Sequence, residues 1–249
     1  MSLLIAARYR DGVVLASDPF VFDNDPARPS RRVDFDRFEI APDQSAVFAA
    51  VGAMWVFRTF QRQFDAESAR ETLSPARIAE IWKNGCDEWR RGRESETHGA
   101  RRGSLRELSE SLLIAVRRRR PWTIDACSCS GAWTSSRTWI VTGSAAGWVR
   151  DHMSQASNRF DARDSLADCL AKVRACFTAG RRDLYVIGFP AVVCVSDDGI
   201  HDFSEASRDA WENSCEAAFS RLAAQIRREE HHRGAVLSGR RRRRALAAH

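Results

Sequence analysis

Residues 2–18, SLLIAARYRDGVVLASD, set the architecture that the rest of the chain must complete. Residues 3–6 (LLIA) and 13–16 (VVLA) are apolar runs, and Asp11-Gly12 between them is a dipeptide that joins two strands into a hairpin. The first residues of most domains are loose because nothing holds them. A strand that starts at residue 3 therefore predicts that the beginning of this sequence is held in the core.

The composition is that of one globular domain followed by a basic tail. Of the 249 residues, 44% are hydrophobic and 29% are charged, which is ordinary for a soluble domain. From Arg227 onward there are eight arginines and two glutamates, so this segment carries 8 − 2 = +6, the whole formal net charge. We expect a domain over residues 1–228 and a disordered basic tail over residues 229–249.

The sequence has neither a secretory signal nor an apolar run long enough to span a membrane, which predicts a cytoplasmic protein without membrane contact. Seven cysteines at scattered positions do not indicate a disulfide framework. Cys127 and Cys129 stand two residues apart, but no second pair has the spacing of zinc ligands. We expect neither a metal nor a cofactor.

Apolar periodicity separates blocks of strands from blocks of helices. Residues 18–32 hold three prolines and predict a loop, whereas residues 33–40 alternate apolar and charged side chains and predict one strand. Residues 46–51 are continuously apolar, as in a strand buried on both faces. Helical spacing then links Val56, Phe57, Phe60 and Phe64, and a second helix is predicted from Ser74, an N-cap residue.

Later strands are predicted at 112–116, 122–125, 138–142 and 190–200, and helical segments near 145–159, 164–178 and 205–228. Because strands and helices do not alternate as βαβ units, the pattern indicates an α+β fold. We predict a four-layer αββα sandwich, in which two antiparallel sheets face each other and each is covered outside by a helix pair.

These blocks resemble the proteasome β-type peptidases, which are N-terminal nucleophile hydrolases, from Ser2 to about Ser204. The first hairpin ends in Asp18, sixteen residues after Ser2, as in that family. VTGSAAGWV is similar to the family's Gly-Ser-Gly segment, with Ala145 at the second glycine, and RRDLYVIGFPAVVCVSDDGI is similar to its arginine-aspartate segment and last hairpin. Among the bacterial branches, the betaproteobacterial proteasome homologues are the preferred match, ahead of the HslUV-type peptidase and Anbu.

The chemistry follows from an amine and a hydroxyl on one residue. The small side chain of Ser2 permits removal of Met1, which leaves a free α-amino group beside the serine Oγ. The reference pKa of an α-amine is about 7.7–8.0, so a useful fraction is neutral and accepts the hydroxyl proton. Ser2 would then supply both nucleophile and base.

The resemblance implies an ion pair and an oxyanion donor around that serine. In the family, the counterpart of Asp18 pairs with a lysine. Here Arg37 takes the lysine position, with Arg32 as the alternative, and an arginine stays charged at any useful pH. Gly52, or the turn beside it, would present a backbone N–H to the developing oxyanion.

The resemblance also implies that Ser144 hydrogen-bonds the α-amine and that Asp183 holds both in place. A serine that is usual three residues after this aspartate is Val186 here. Each candidate also has an ordinary structural interpretation. Asp18 could end a strand, Arg37 could be an exposed charge on an alternating strand, and Ser144 could be a helix N-cap.

The leading interpretation is a self-compartmentalising peptidase subunit that assembles into a homo-oligomeric, stacked double ring and cleaves polypeptides, with a partner AAA+ unfoldase implied by the family. The alternative is a ring-forming homologue with lost or restricted proteolysis. A third, polyanion binding by the arginines at 240–244, is not favoured because no aromatic residues or binding module accompany them, so we expect no nucleic-acid partner. The arginines at 117–120 are expected on a hairpin edge or ring surface rather than at a phosphate site.

Overall fold

The computed structural model describes residues 3–18, 20–23, 31–34, 37–94, 111–183 and 190–202. All of them lie in the first of two compact units, Met1–Ala206. The predicted helix near 205–228 and the basic tail over 229–249 lie outside the described residues. The domain boundary at residue 228 therefore stays a prediction.

The described strands are short, and they are numbered along the chain: β1 Leu3–Tyr9, β2 Gly12–Ser17, β3 Phe20–Asp23, β4 Arg31–Asp34, β5 Phe38–Ile40, β6 Ala46–Val51, β7 Leu112–Arg117, β8 Ile124–Ser128, β9 Trp133–Ser136, β10 Trp139–Gly143, β11 Ala191–Ser196 and β12 Gly199–Asp202. One sheet has the order β10-β1-β2-β11-β12 and another the order β5-β6-β7-β8-β9, while β3 and β4 form a two-stranded ribbon. Every pairing is antiparallel, so the predicted sheet type is correct.

The helices of the described part are α1 Met54–Ser68, α2 Pro75–Glu94, α3 Ala146–His152 and α4 Leu166–Gly180, with a 3₁₀ turn at Ala156–Asn158. The start of α2 is the predicted one, because the Arg77 N–H donates to the Ser74 hydroxyl at 3.2 Å and Pro75 occupies the first helical position. Ser165 caps α4 in the same way, accepting from the Asp168 N–H at 3.1 Å.

Two apolar clusters show how the layers stack. One joins the outer face of the second sheet to α1 and α2, with the rings of Phe48, Phe60 and Trp82 in edge contact. The other lies between the sheets, where Leu4 and Leu15 of the first sheet meet Val47, Ile114 and other residues of the second. Helices α3 and α4 lie against the strands of the first sheet. The predicted fold class, an α+β sandwich of two antiparallel sheets flanked by helix pairs, is confirmed.

The predicted loop over residues 18–32 and the single strand over residues 33–40 are wrong. Phe20 pairs with Asp34 and Asp23 with Arg31, so this region forms the β3–β4 ribbon. The prolines at 26 and 29 lie between these two strands in the sequence, so neither of them interrupts a described strand. The alternating run is divided, since β4 ends at Asp34 and β5 begins at Phe38.

Strand β9 was not predicted, and β8 runs over 124–128 rather than 122–125. The WTSS sequence of β9 has one large apolar residue and forms the edge of its sheet, where no second neighbour imposes a buried face.

Candidate functional site

Strand register brings several of the predicted site residues to one end of the sandwich. In the first sheet, Leu4 pairs with Ser17, so the start of β1 lies beside Asp18 at the end of β2. In the second sheet, Phe38 pairs with Ala49 and Leu112 with Val51. The residues next to these pairs, Arg37, Gly52 and Ser111, are therefore neighbours at the end of that sheet.

Asp18 connects the two sheets at this end through both of its carboxylate oxygens. The Leu3 N–H donates to Oδ1 at 2.9 Å, and Nη2 of Arg37 donates to Oδ2 at 3.3 Å. The Asp18 N–H returns a bond of 3.2 Å to the Leu3 carbonyl. Since Leu3 follows Ser2 in the chain, this network fixes the backbone directly after the predicted nucleophile.

The ion pair is enclosed, because Asp18 is 0% and Arg37 7% exposed. Burial raises the pKa of Asp18, while Arg37 and the Leu3 N–H act in the opposite direction. Burial also lowers the pKa of Arg37, and Asp18 opposes that shift. Arginine begins from a reference pKa above 12, so Arg37 remains the cation of the pair.

Arg37, the first of the two candidates for the family lysine, lies against Asp18. It lies immediately before β5 and is buried, so it is not the exposed strand charge of the alternative interpretation. The side chain of Arg32 lies outside the described residues.

Ser111 is a residue of this site that the sequence did not single out. Its hydroxyl accepts a hydrogen bond from the Ala53 N–H at 3.1 Å, and the residue is 1% exposed. It stands against Gly52, whose φ is +109°, and a Cβ at Gly52 would come within 2.1 Å of the Ser111 Oγ. The hydroxyl thus fits a turn that only glycine occupies without strain. No sequence pattern separates Ser111 from an ordinary polar residue ahead of a strand.

Ser144 lies at the same end of the first sheet. Gly143 pairs with Leu3, and Ser144 follows in an exposed turn before α3. The N-cap position of α3 belongs to Ala145, which makes no side-chain cap bond, so Ser144 is not the N-cap that the structural interpretation supposed.

Asp183 comes after the end of α4, where its N–H donates to the Gly180 carbonyl at 2.9 Å. A Cβ at Gly180 would lie 2.9 Å from a methyl of Leu3 and 3.5 Å from the Cβ of Ala145, so the end of α4 packs directly on the start of β1. The structure therefore brings this segment close to Leu3. Ser2 and Val186, which complete the predicted constellation, lie outside the described residues.

Within the described ranges, no group of three or more His, Cys, Asp or Glu side chains is arranged to hold a metal ion. Over those ranges, too, no helix combines the length and the apolar character that crossing a membrane requires.

Comparison with known proteins supplies a structural neighbour only. No family model and no curated protein matches the sequence. Among solved structures, the Anbu (Gly-1) mutant from Hyphomicrobium sp. strain MC1 matches with a TM-score of 0.63 and 12% identity, over 92% of this chain and 100% of that chain. Anbu is one of the bacterial branches named above. The comparison therefore shows that this chain shares the fold of that Anbu structure.

Proposed function

We propose that this chain is a proteasome-like peptidase subunit, which cleaves peptide bonds with Ser2 as its N-terminal nucleophile after removal of Met1. The observation that carries the proposal is the buried network from Leu3 through Asp18 to Arg37. It fixes the backbone of Leu3, the residue next to Ser2, at one end of the two-sheet sandwich, and the proposed chemistry requires a nucleophile whose backbone is held in this way.

In the proposed reaction, the Ser2 Oγ attacks the scissile carbonyl and its proton passes to the Ser2 α-amine, which donates it to the leaving amine as the peptide C–N bond breaks. Water then hydrolyses the acyl-serine ester, with the α-amine again as base, and releases the free carboxylate. The charge of Arg37 opposes protonation of that amine and so favours its basic form near neutral pH. The backbone N–H at Gly52 would stabilise the oxyanion, a contribution of about 3–4 kcal/mol in known cases. Ser144 and Asp183 would orient the amine.

The wider biology is part of the proposal. We propose a homo-oligomeric ring stacked as a double ring, polypeptide substrates threaded by an AAA+ unfoldase, and a cytoplasmic location. Within the family, the betaproteobacterial proteasome homologues are the proposed branch. A closed chamber explains the need for a partner, because it admits only unfolded chains.

Arg37 supports a second candidate, a ring-forming homologue with lost or restricted proteolysis. A guanidinium is wider than the ammonium that the family uses, and it cannot give up its proton. Ala145 in place of the second glycine and Val186 in place of serine are further departures. The Arg37→Lys variant separates these candidates, because an enzyme restricted by its arginine should gain turnover.

The test combines intact mass with turnover of fluorogenic acyl peptides by the assembled protein. The peptidase proposal expects a mass without Met1 and turnover that falls at least about a hundredfold in Ser2→Ala. Ser2→Thr is the matched control, since it keeps the hydroxyl and the amine. Turnover that survives in Ser2→Ala would overturn the proposal. If an assembled ring that has lost Met1 shows no turnover, the second candidate is favoured.

A further inference from the structure

A cleft of about 600 Å³ lies at the opposite end of the second sheet from the candidate site. It is bordered by the β5–β6 turn and the residues after β7, and the pairing of Ala46 with Arg117 places both at this end. The pair Val51–Leu112 marks the other end, five residues of strand away, or about 17 Å. The cleft is thus separate from the site built around Asp18.

The floor of this cleft is apolar. It is formed by Phe48, Phe64, Leu73 and Ile78, which belong to the cluster between the sheet and helices α1 and α2. The rings of Phe48 and Phe64 meet edge to face with centroids 4.9 Å apart. A volume of this size over a mostly apolar floor is typical of small-molecule sites.

The mouth of the cleft carries three consecutive arginines, Arg117, Arg118 and Arg119. Within the described part of the chain, their guanidinium groups make no hydrogen bond or ion pair, whereas the next arginine, Arg120, pairs with Asp197 at 2.6 Å. The Arg118 N–H donates to the Ser45 carbonyl at 2.8 Å, which fixes the backbone that presents these side chains. Arg117 is the last residue of β7 and residues 118–120 follow it in the β7–β8 connection, which agrees with the expectation that this run lies on a hairpin edge.

Charge arithmetic decides the class of ligand. Asp43 and Glu71 also line the cleft, so three arginines and two carboxylates leave 3 − 2 = +1. The Ser45 N–H donates to Asp43 at 3.0 Å, and hydrogen bonds from Ser45 lower the pKa of Asp43, which keeps it ionised. A single negative charge matches this excess, while a polyphosphate would meet both carboxylates.

A buried hydroxyl points to a ligand as well. Ser68 lines the cleft, and its Oγ is enclosed without a hydrogen-bond partner in the described residues. A polar atom left in that state is rare in folded proteins unless water or a ligand satisfies it.

We propose that this cleft binds a small organic monoanion, with an apolar body on the aromatic floor and a carboxylate at the mouth held by Arg118 and its neighbours. The ligand chemistry is that of a medium-chain acyl or aryl carboxylate. The site is independent of the proposed peptidase activity, because no residue of the Asp18 network lines it.

Isothermal titration of the full-length Ser2→Ala protein with decanoate, below its micelle concentration, tests the proposal without any turnover. We expect saturable binding of one decanoate per chain, at least tenfold tighter than decanol, which lacks the charge, and than acetate or inorganic phosphate, which lack the apolar body. Arg118→Gln should weaken decanoate binding at least fivefold. Arg70→Gln, an exposed arginine outside the cleft, is the matched control and should leave it unchanged.

Equal affinity for decanoate and decanol would overturn the proposal, as would tighter binding of phosphate than of decanoate. If Arg70→Gln and Arg118→Gln weaken decanoate binding equally, the effect comes from general surface charge, and this result would also overturn the proposal. Arg119→Gln gives a second variant if Arg118→Gln alters the thermal unfolding midpoint.

Discussion

Replacing Gly52 by alanine should destabilise the protein through two separate effects. The first is conformational, because a φ of +109° is a backbone state that residues with a Cβ rarely adopt, at a cost of about 1–3 kcal/mol. The second is steric, because the new Cβ would lie 2.1 Å from the Oγ and 2.7 Å from the Cα of Ser111. The Cα belongs to backbone next to the paired strands β6 and β7, so it cannot move aside freely. Such overpacking costs about 1–3 kcal/mol, which gives a total of about 2–6 kcal/mol.

The assay is urea unfolding followed by tryptophan fluorescence, with Gly92→Ala as the matched control. Gly92 lies in α2, and a Cβ there meets no atom within 4 Å, so the same substitution should stabilise the helix by about 0.5–1 kcal/mol. In the double variant Gly52→Ala/Ser111→Gly the Oγ and Cβ contacts are gone. A double-mutant cycle should therefore show a favourable coupling of at least about 1 kcal/mol.

The reasoning is refuted if Gly52→Ala unfolds at the same urea concentration as Gly92→Ala. Additive effects of Gly52→Ala and Ser111→Gly would show that the collision is not with Ser111. Either result would also remove the basis for the turn that the proposed oxyanion site uses.

Three further outcomes follow from buried ionisable groups. Arg37→Met leaves the Asp18 carboxylate buried without its cation, so the protein should lose about 3–5 kcal/mol of stability at pH 7. Burial raises the pKa of Asp18, so protonation removes the unpaired charge as the pH falls and the loss should shrink. Equal losses at pH 7 and pH 4, measured by urea unfolding, would contradict this. Burial raises the pKa of Tyr9 to about 12, so the free energy of unfolding should fall as the pH rises from about 10 through 12. Absorbance at 295 nm should show a phenol ionising in that range rather than near 10. Five of the six described thiols are buried, and burial raises the pKa of Cys86, Cys176 and Cys194 to about 12. At pH 8, Ellman's reagent should therefore label at most two of the seven cysteines before urea is added.

Local periodicity explains which parts of the fold were predictable. The β1–β2 hairpin, β6 and the first two helices each carry their signal within a few residues, as apolar alternation, a continuous apolar run or 3.6-residue spacing. Ser74 and Pro75 mark the start of α2 within the same short window. These signals depend on burial of one segment's own face, so they are visible before any partner is known.

The parts that were missed depend on pairing between distant segments. β3 and β4 are strands because each is the other's partner, and their proline-containing connection hides this in the sequence. Ser111 contacts the β6–α1 turn because Val51 pairs with Leu112, although Ser111 lies 59 residues after Gly52 in the sequence. The end of α4 meets Leu3 for a similar reason, through packing that no local pattern encodes.

The Asp18–Arg37 pair shows how far stability alone accounts for this end of the sandwich. A buried ion pair loses hydration that its attraction barely recovers, and apolar residues of similar volume are often as stable or more so. The surrounding core contains aliphatic residues such as Leu4 and Leu15, so apolar side chains in place of the pair could pack against it. Yet both carboxylate oxygens of Asp18 accept hydrogen bonds that hold neighbouring groups in place, one from the Leu3 N–H and one from Arg37. The core needs neither a fixed Leu3 backbone nor a cation beside it, whereas the proposed Ser2 nucleophile would need both. The pair therefore favours a chemical role for this end of the molecule over a purely structural one.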